Sequence, residues 1–201
     1  DTLRDFSVVA LTANSPNVLV VHPSVTASSV KELIALARAK AGELNYASST
    51  TGSTPHLAGE LFNAMAGVNI VRVNYKGNGP AFVDLVAGRV QMMVPSVGSV
   101  MPFVKSGKLR ALAVASAHPT ELAPGLPTVA ASGLPGYEVI SPFAVFAPAK
   151  MPAALIDRLN REITRVLSTA ELRERFFNAG VEPAGGSPDQ SAAAIKADIA
   201  K

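Results

Sequence analysis

Two stretches of the chain follow one plan, and that plan limits the fold more than any other feature. In the first, a short apolar run over Leu44 to Ala47 enters small and hydroxylated residues, Ser48 to Thr54, and then Leu57, Ala58, Leu61, Phe62 and Met65 at helical spacing, closed by Gly67. In the second, a run from Val68 to Tyr75 enters Lys76-Gly77-Asn78-Gly79-Pro80 and then a helix from Ala81 to Val86. Consecutive strand–helix units of this kind build parallel sheets, and both turns then open at the carboxyl ends of their strands. The expected class is therefore α/β.

The chemistry of the first turn suits an anion. The opening N–H groups of a helix lack internal partners, and the helix dipole adds partial positive charge there. Ser53 or Thr54 can cap, Pro55 fits the first helical position, and Gly52 lets a ligand approach the backbone. A carboxylate could sit on such an end without any Lys or Arg. The plainer alternative is an ordinary polar strand-to-helix turn, and His56 fits either a ligand contact or a structural place in the first helical turn. Lys76, beside a glycine turn, reads as a solvated charge.

Composition removes several function classes. The 201 residues are 48% apolar, enough for one large or two small cores. With 18 basic and 15 acidic side chains scattered along the chain and aromatics at 5%, neither the basic stripe nor the stacking platforms of a nucleic-acid binder is present. There are no cysteines, which excludes disulfides and thiolate metal sites, and no metal or cofactor is expected. The apolar runs, such as Val18 to Val21 and Phe143 to Ala149, are far short of the roughly 20 residues of a membrane span. No signal peptide is recognisable within the sequence, although the absence of cysteine fits an exported protein.

Around the paired turns the chain reads in order. Phe6 to Leu11 and Asn17 to Val21 are buried strands split by a Thr12 to Pro16 turn, and a Ser29-to-Glu32 capping box starts a helix. Arg89 to Val94 is a strand, with Met92 and Met93 in the core, followed by a third small-residue turn over Pro95 to Ser99 and a helix to Ser106. Arg110 to Ala115 is another strand. Pro119, Pro124, Pro127 and Pro135 make the next segment a surface excursion with one short turn of helix near Thr128 to Ser132. A strand over Val139 to Phe146 precedes a helix with Leu155, Ile156, Leu159, Ile163 and Val166 inward, a helix from Ala170 to Asn178, and a last helix capped by Ser187 that runs to the chain end. Phe143 and Phe146 read as core, with a pocket wall as the alternative. The order implies a central lobe, 22–136, inserted in a flanking one, 1–21 with 137–201, and a hinge at two crossings near Val20 to Pro23 and Pro135 to Ser141.

These residues resemble the periplasmic receptors of tripartite tricarboxylate transporters, the Bug or TctC-like family. The matching pieces are S-P-N-V-L-V-V-H-P-S at 15–24, S-V-K-E-L-I-A-L-A at 29–37, L-N-Y-A-S-S at 44–49, G-S-T-P-H-L-A-G-E-L-F at 52–62 and N-Y-K-G-N-G-P-A at 74–81. Others are S-G-K-L-R-A-L-A-V at 106–114, L-P-T-V at 126–129, G-L-P-G at 133–136 and F-A-P-A-K-M-P at 146–152, in family order over nearly the whole chain. The resemblance implies a periplasmic-binding-protein fold of type II: two βα lobes closing on a small organic acid for delivery to membrane transporter subunits. It implies ligand contacts from Ser48, Ser49, Thr50, Gly52, Ser53, Thr54 and His56 in the first turn, from Tyr75, Gly77 and Asn78 in the second, and from Phe143 as a pocket wall. Where many relatives read Asp-Leu-Met-Phe-Asp, this chain has Gln91-Met92-Met93-Val94-Pro95, without an acid at the third turn.

The resemblance also implies that the first lobe is incomplete here, the sequence beginning where the family's first lobe is already under way. Apolar faces such as Leu155, Leu159 and Ile163 would then lose cover, so the chain alone is expected to bind carboxylates weakly or not at all and to self-associate. Two other function classes fit the residues less well. A hydrolase pairing a Ser with His56 lacks both G-x-S-x-G and H-E-x-x-H, and the effector-sensing part of a regulator needs a DNA-binding helix pair that these residues do not contain. The sequence reading is a non-catalytic, exported carboxylate receptor.

Overall fold

The computed structural model describes residues 2–199. In chain order the elements are α1 (Thr2–Asp5), β1 (Phe6–Pro16), β2 (Val18–Val21), α2 (Val30–Ala39), β3 (Asn45–Ser48), α3 (Thr54–Ala66), β4 (Val71–Asn74) and α4 (Asn78–Val86). There follow β5 (Met92–Met93), α5 (Val97–Lys105), β6 (Arg110–Val114), β7 (Ile140–Pro148), α6 (Ala153–Leu167), α7 (Ala170–Asn178), β8 (Glu182–Pro183) and α8 (Pro188–Ile199). The chain divides into two compact units, residues 16–141 and residues 1–15 with 142–201.

The first of these units is a five-stranded sheet in the order β4-β3-β5-β2-β6 with helices on both faces. Its strands are apolar throughout because both faces are covered, and alternate residues serve opposite cores. Leu19, Val21, Tyr46 and Met92 pack with Leu33 and Ile34 of α2 and Phe62 of α3. Val18, Val20, Ala47 and Met93 pack with Phe82 and Leu85 of α4 and with Val97 and Val100 of α5. Val18–Val21, expected with the flanking lobe, belongs to this sheet, paired antiparallel with β5 on one side and β6 on the other.

Several local expectations are corrected here. The Pro-rich segment after β6 is no surface excursion, since Ala123, Val129, Leu134 and Tyr137 are buried. The single helical turn expected near Thr128 to Ser132 is present: the Ser132 N–H donates to the Thr128 carbonyl at 3.1 Å, and Thr128 Oγ1 caps the turn by accepting from the Ala131 N–H at 3.0 Å. Tyr137 donates its hydroxyl to the Ala58 carbonyl at 3.0 Å and meets Phe62 edge-on, so this segment acts as a lid over α3. The strand expected over Arg89 to Val94 is only Met92–Met93. The α2 cap forms as read: Ser29 Oγ accepts from the Glu32 N–H, while the Glu32 carboxylate accepts from the N–H and hydroxyl of Ser28, one residue earlier than the usual box.

The buried face of α3 is rotated from its expected position. Pro55, Ala58, Gly59, Phe62 and Ala66 face inward, and Leu57 is exposed. The reason is Gly59, which lies on the Tyr46 ring so closely that a Cβ there would overlap ring carbons. The Tyr46 hydroxyl donates to Glu60 on the same helix, which pins the ring beneath Gly59.

The other unit is smaller, a three-stranded sheet in the order β7-β1-β8 with α6, α7 and α8. The expected Thr12 to Pro16 turn is extended chain within β1, where Ala13 and Asn14 pair with Pro183 and Glu182. Its core is Val9, Ala147 and Ile156 with Met151 and Ile163 against them. On α6 the inward residues are Ile156, Asn160 and Leu167, whereas Leu155, Leu159 and Val166 are exposed. Asn160 lies in that buried stripe because its amide donates to the carbonyls of Val9, 2.8 Å, and Gly186, 3.0 Å. Phe143 and Phe146, read as core, are 51% and 39% exposed. The Ser187 box closes reciprocally with Gln190, and the expectation that its helix reaches the chain end lies outside the described residues.

Replacing Gly59 by Ala should cost about 1–3 kcal/mol, the usual range for overpacking a tight contact. Urea denaturation would measure it, and a midpoint equal to that of the wild type would show that α3 can retreat from Tyr46 at no cost.

Candidate ligand-binding site

The site follows from strand direction. β3 is parallel to β4, with Ser48 opposite Asn74, and parallel to β5, with Tyr46 opposite Met92. The turns leading from these strands into α3, α4 and α5 therefore open on one edge of the sheet, in the spatial order set by β4-β3-β5. The Tyr75 N–H donates to the Ser48 carbonyl at 2.9 Å and joins the first two turns. None of residues 45–56, 71–80 or 92–100 is an Asp or Glu, so this edge presents helix N-termini and no carboxylate of its own.

The hydroxyls of the first turn divide into two sets. Ser48 is fully buried, and its Oγ accepts from Arg72 Nε at 2.8 Å, while Thr51 Oγ1 accepts from Arg72 Nη2 at 3.1 Å. Ser48 is therefore internal structure. The hydroxyls of Ser49, Thr50, Ser53 and Thr54 make no hydrogen bond among the described residues, and Ser53 Oγ is buried as well. A buried hydroxyl without a partner is costly, and its presence at the cap of α3 (Ser53, with no side-chain capping bond) marks the point where an acceptor or donor from elsewhere would be favoured.

His56 takes the place of a capping-box glutamate: the Gly52 N–H donates to its Nδ1 at 3.1 Å. That bond holds Gly52 in the left-handed conformation, φ +81°, which other residues reach only with strain. Gly52 thus shapes the turn, and its N–H is already engaged. The Ser53 N–H donates to the Thr50 carbonyl, and Pro55 has no N–H, which leaves Thr54 with the uncommitted backbone donor at this end. The second turn is more open: the amides of Gly77, Asn78 and Gly79, and the Asn78 side chain, have no acceptor among the described residues.

Tyr75 contributes differently from the expectation. Its hydroxyl donates to Asp84 Oδ2 at 2.8 Å, and Arg89 Nη1 donates to Asp84 Oδ1 at 2.7 Å. The Arg89 guanidinium, then the Tyr75 hydroxyl, hold the Asp84 carboxyl below its ordinary value. Burial, then Asp84, pushes Tyr75 up to about 12. Phe143, in the other unit, is half exposed on β7, where its carbonyl accepts from Thr12 Oγ1 at 3.0 Å. The His56–Ser pairing required of a hydrolase does not form. The described Ser–His contact, His22 Nδ1 to Ser24 Oγ at 2.7 Å, follows β2, which runs antiparallel to β5 and so ends at the opposite edge of the sheet.

Two features of this edge lie beyond the sequence reading. Arg72, one strand away from the turn it holds, carries a charge where none was expected, and only the β3–β4 register reveals it. At the α5 end, visible in the residues as a third small-residue turn, Ser96 holds the cap position without a side-chain capping bond, and its hydroxyl meets that of Ser99 at 2.9 Å.

The whole chain, residues 1–201, matches the model of the tripartite tricarboxylate transporter family receptor. It is 39% identical over 97% of its length to the UPF0065 protein of the tcbD–tcbE intergenic region of Pseudomonas sp. strain P51, covering 58% of that relative. It is 36% identical to protein BugT of Bordetella pertussis, covering 98% of the chain and 60% of the relative. Among solved structures, the chain superposes on R. palustris Rpa4515 with adipate at a TM-score of 0.91 and 38% identity, covering all of this chain (100%) and 67% of that one. MatC from Rhodopseudomonas palustris with bound malate matches at a TM-score of 0.86 and 26% identity, covering 97% of this chain and 67% of that one. The chain spans about three fifths of the length of these two curated relatives, and the family whose model it matches is a receptor family.

The Tyr75–Asp84–Arg89 group has a titration signature. Because the folded state raises Tyr75, its contribution to stability is full below the ordinary tyrosine value of about 10 and is lost as pH rises through about 12. Asp84 behaves oppositely, contributing above the ordinary carboxylate range and losing that contribution as pH falls through its lowered value. Tyr46 and Tyr137, the other two of the three tyrosines, are also raised, chiefly by burial. Absorbance titration of tyrosinate should therefore show no step near pH 10 while the protein is folded, and Asp84→Ala should bring one step down. A tyrosinate titration left unchanged by Asp84→Ala would contradict the Tyr75–Asp84 bond.

Proposed function

The chain belongs to the tripartite tricarboxylate transporter receptor family, and from that premise we propose that it is the ligand-capturing part of a periplasmic receptor for a small di- or tricarboxylate. The observation that carries this reading is the acid-free sheet edge, where the N-termini of α3, α4 and α5 open together with uncommitted amides and hydroxyls. Ser49, Thr50, Ser53 and Thr54 with Gly77 and Asn78 supply the donors, and a carboxylate supplies the negative charge these ends favour. Adipate and malate in the solved relatives are ligands of that kind.

Gly52 and His56 shape the first turn, and Tyr75 joins it to the second. Two lobes would close over the acid by the hinge motion such receptors use, with Phe143 as a wall on the flanking side, and the closed form would be what transporter subunits in the membrane recognise. Among the described residues no helix is long and apolar enough to cross a membrane.

The reading predicts opposite effects of one substitution. Asn78→Asp places a carboxylate in the first turn of α4, where the helix dipole should stabilise the fold by about 0.3–1 kcal/mol. The same charge occupies the proposed anion position, so adipate affinity should fall by roughly tenfold or more, about 1.4 kcal/mol. Thermal unfolding with and without adipate measures both, since a ligand that binds only the folded state raises its stability. An Asn78→Asp variant that binds adipate as tightly as the wild type would place the carboxylate elsewhere.

A further inference from the structure

Arg72 is the one cation built into the first turn. Its Nε donates to Ser48 Oγ at 2.8 Å, and its Nη2 reaches Thr51 Oγ1 at 3.1 Å, Asn74 Oδ1 at 2.9 Å and the Ser49 carbonyl at 3.3 Å. The register explains the reach. Tyr46 lies opposite Arg72 in a parallel pair, and Ser48 is two residues further along the same face. Every acceptor is neutral, and no carboxylate among the described residues forms an ion pair with Arg72. Glu60, on the helix that covers this face, is engaged by the Tyr46 hydroxyl. Nη1 has no acceptor among the described residues.

An arginine bonded to four neutral acceptors, with no counter-ion, is an unusual use of the side chain in a partly buried place, where charges are normally paired. The fork has a specific effect here. It engages the turn at Ser48, Ser49 and Thr51, and so sets where the unengaged hydroxyls of Ser49, Thr50, Ser53 and Thr54 point. Its charge, left uncompensated, lies behind a helix N-terminus that already favours anions.

We propose that Arg72 is a positioning residue of the carboxylate site, holding the hydroxyl-rich turn in its receiving conformation by a planar fork that lysine cannot reproduce. The proposal rests on the carboxylate-receptor reading of the same edge. Ligand specificity in this chain then depends on a residue one strand away from the hydroxyls that meet the ligand, and preorganisation of those hydroxyls reduces the ordering cost of binding.

The test compares wild type, Arg72→Lys and Arg72→Ala in two measurements on the full chain. Hydrogen exchange without ligand should quicken about tenfold at the amides of residues 49–53 in both variants, while β6 keeps its wild-type protection. Calorimetry with adipate should show affinity falling about tenfold in both, with Arg72→Lys failing to rescue although it keeps the charge. Wild-type affinity in Arg72→Lys overturns the proposal, because charge alone would then suffice. Unchanged exchange at residues 49–53 in both variants also overturns it, as does faster exchange there with wild-type adipate affinity. Should wild type bind no adipate, the carboxylate reading fails for that ligand, and the exchange measurement alone decides whether Arg72 holds the turn. Loss of protection in β6 as well would assign Arg72 to global stability and reject the local role.

Discussion

The parallel pairing of β3 with β4 on one side and β5 on the other is the constraint on which the rest of the larger unit depends. Parallel strands cannot be joined by a tight hairpin, so each must be followed by a crossover, and here each crossover carries a helix. All three helices then begin at the same edge. An anion-favouring edge arises from topology before any side chain is chosen, and the side chains refine it by leaving out Asp and Glu from all three turns. β2 alone runs against its two neighbours, antiparallel to β5 and to β6, which puts its end, with His22, at the other edge, while β6 points the same way as β5.

Holding three turns in register requires the helices behind them to be fixed, and the packing of α3 does this. Tyr46 lies beneath Gly59 with its hydroxyl tied to Glu60, Phe62 meets Tyr137, and the Tyr137 hydroxyl returns to the Ala58 carbonyl. The Pro-rich segment thus helps to fix the helix whose N-terminus opens at this edge by closing over it. A close backbone-to-ring contact of this kind resists sliding better than a layer of leucines would, because Gly59 leaves no side chain to repack. The smaller unit is held differently. Its apolar core is slight, and the two carbonyls taken by the Asn160 amide and the Ser191 hydroxyl that accepts from the Leu11 N–H provide specific ties between its helices and β1.

Much of this was legible in the residues because it is local. Gly67 after an apolar period, Pro188 behind Ser187, and Ser29 before Val30 each state a helix boundary within a few positions, and those helices begin or end as read. The failures are of another kind. Leu155, Leu159 and Val166 are as apolar as Ile156 and at equally helical spacing, so periodicity could not choose between two stripes on α6, and the inward stripe holds a polar residue, Asn160, because two carbonyls accept from its amide. Likewise the four prolines after β6 exclude a helix but say nothing of whether the segment lies on the surface or beneath it.

The sequence by itself determined the α/β class, the order of the elements from β2 to α7 and the chemistry of the turns, since strand and helix periods, caps and glycine turns act over a few residues. Only the tertiary structure decided which hydroxyls remain available. Ser48, which accepts from Arg72 and donates to the Ser49 carbonyl, is withdrawn, the Gly52 N–H is taken by His56 and the Tyr75 hydroxyl proton by Asp84, whereas the hydroxyls of Ser49, Thr50, Ser53 and Thr54 and the Thr51 O–H donor are left. A hydrogen-bond donor or acceptor can serve a ligand only if no internal partner has taken it. Whether one has depends on strand register, which brings together residues far apart in the chain and which no local pattern specifies.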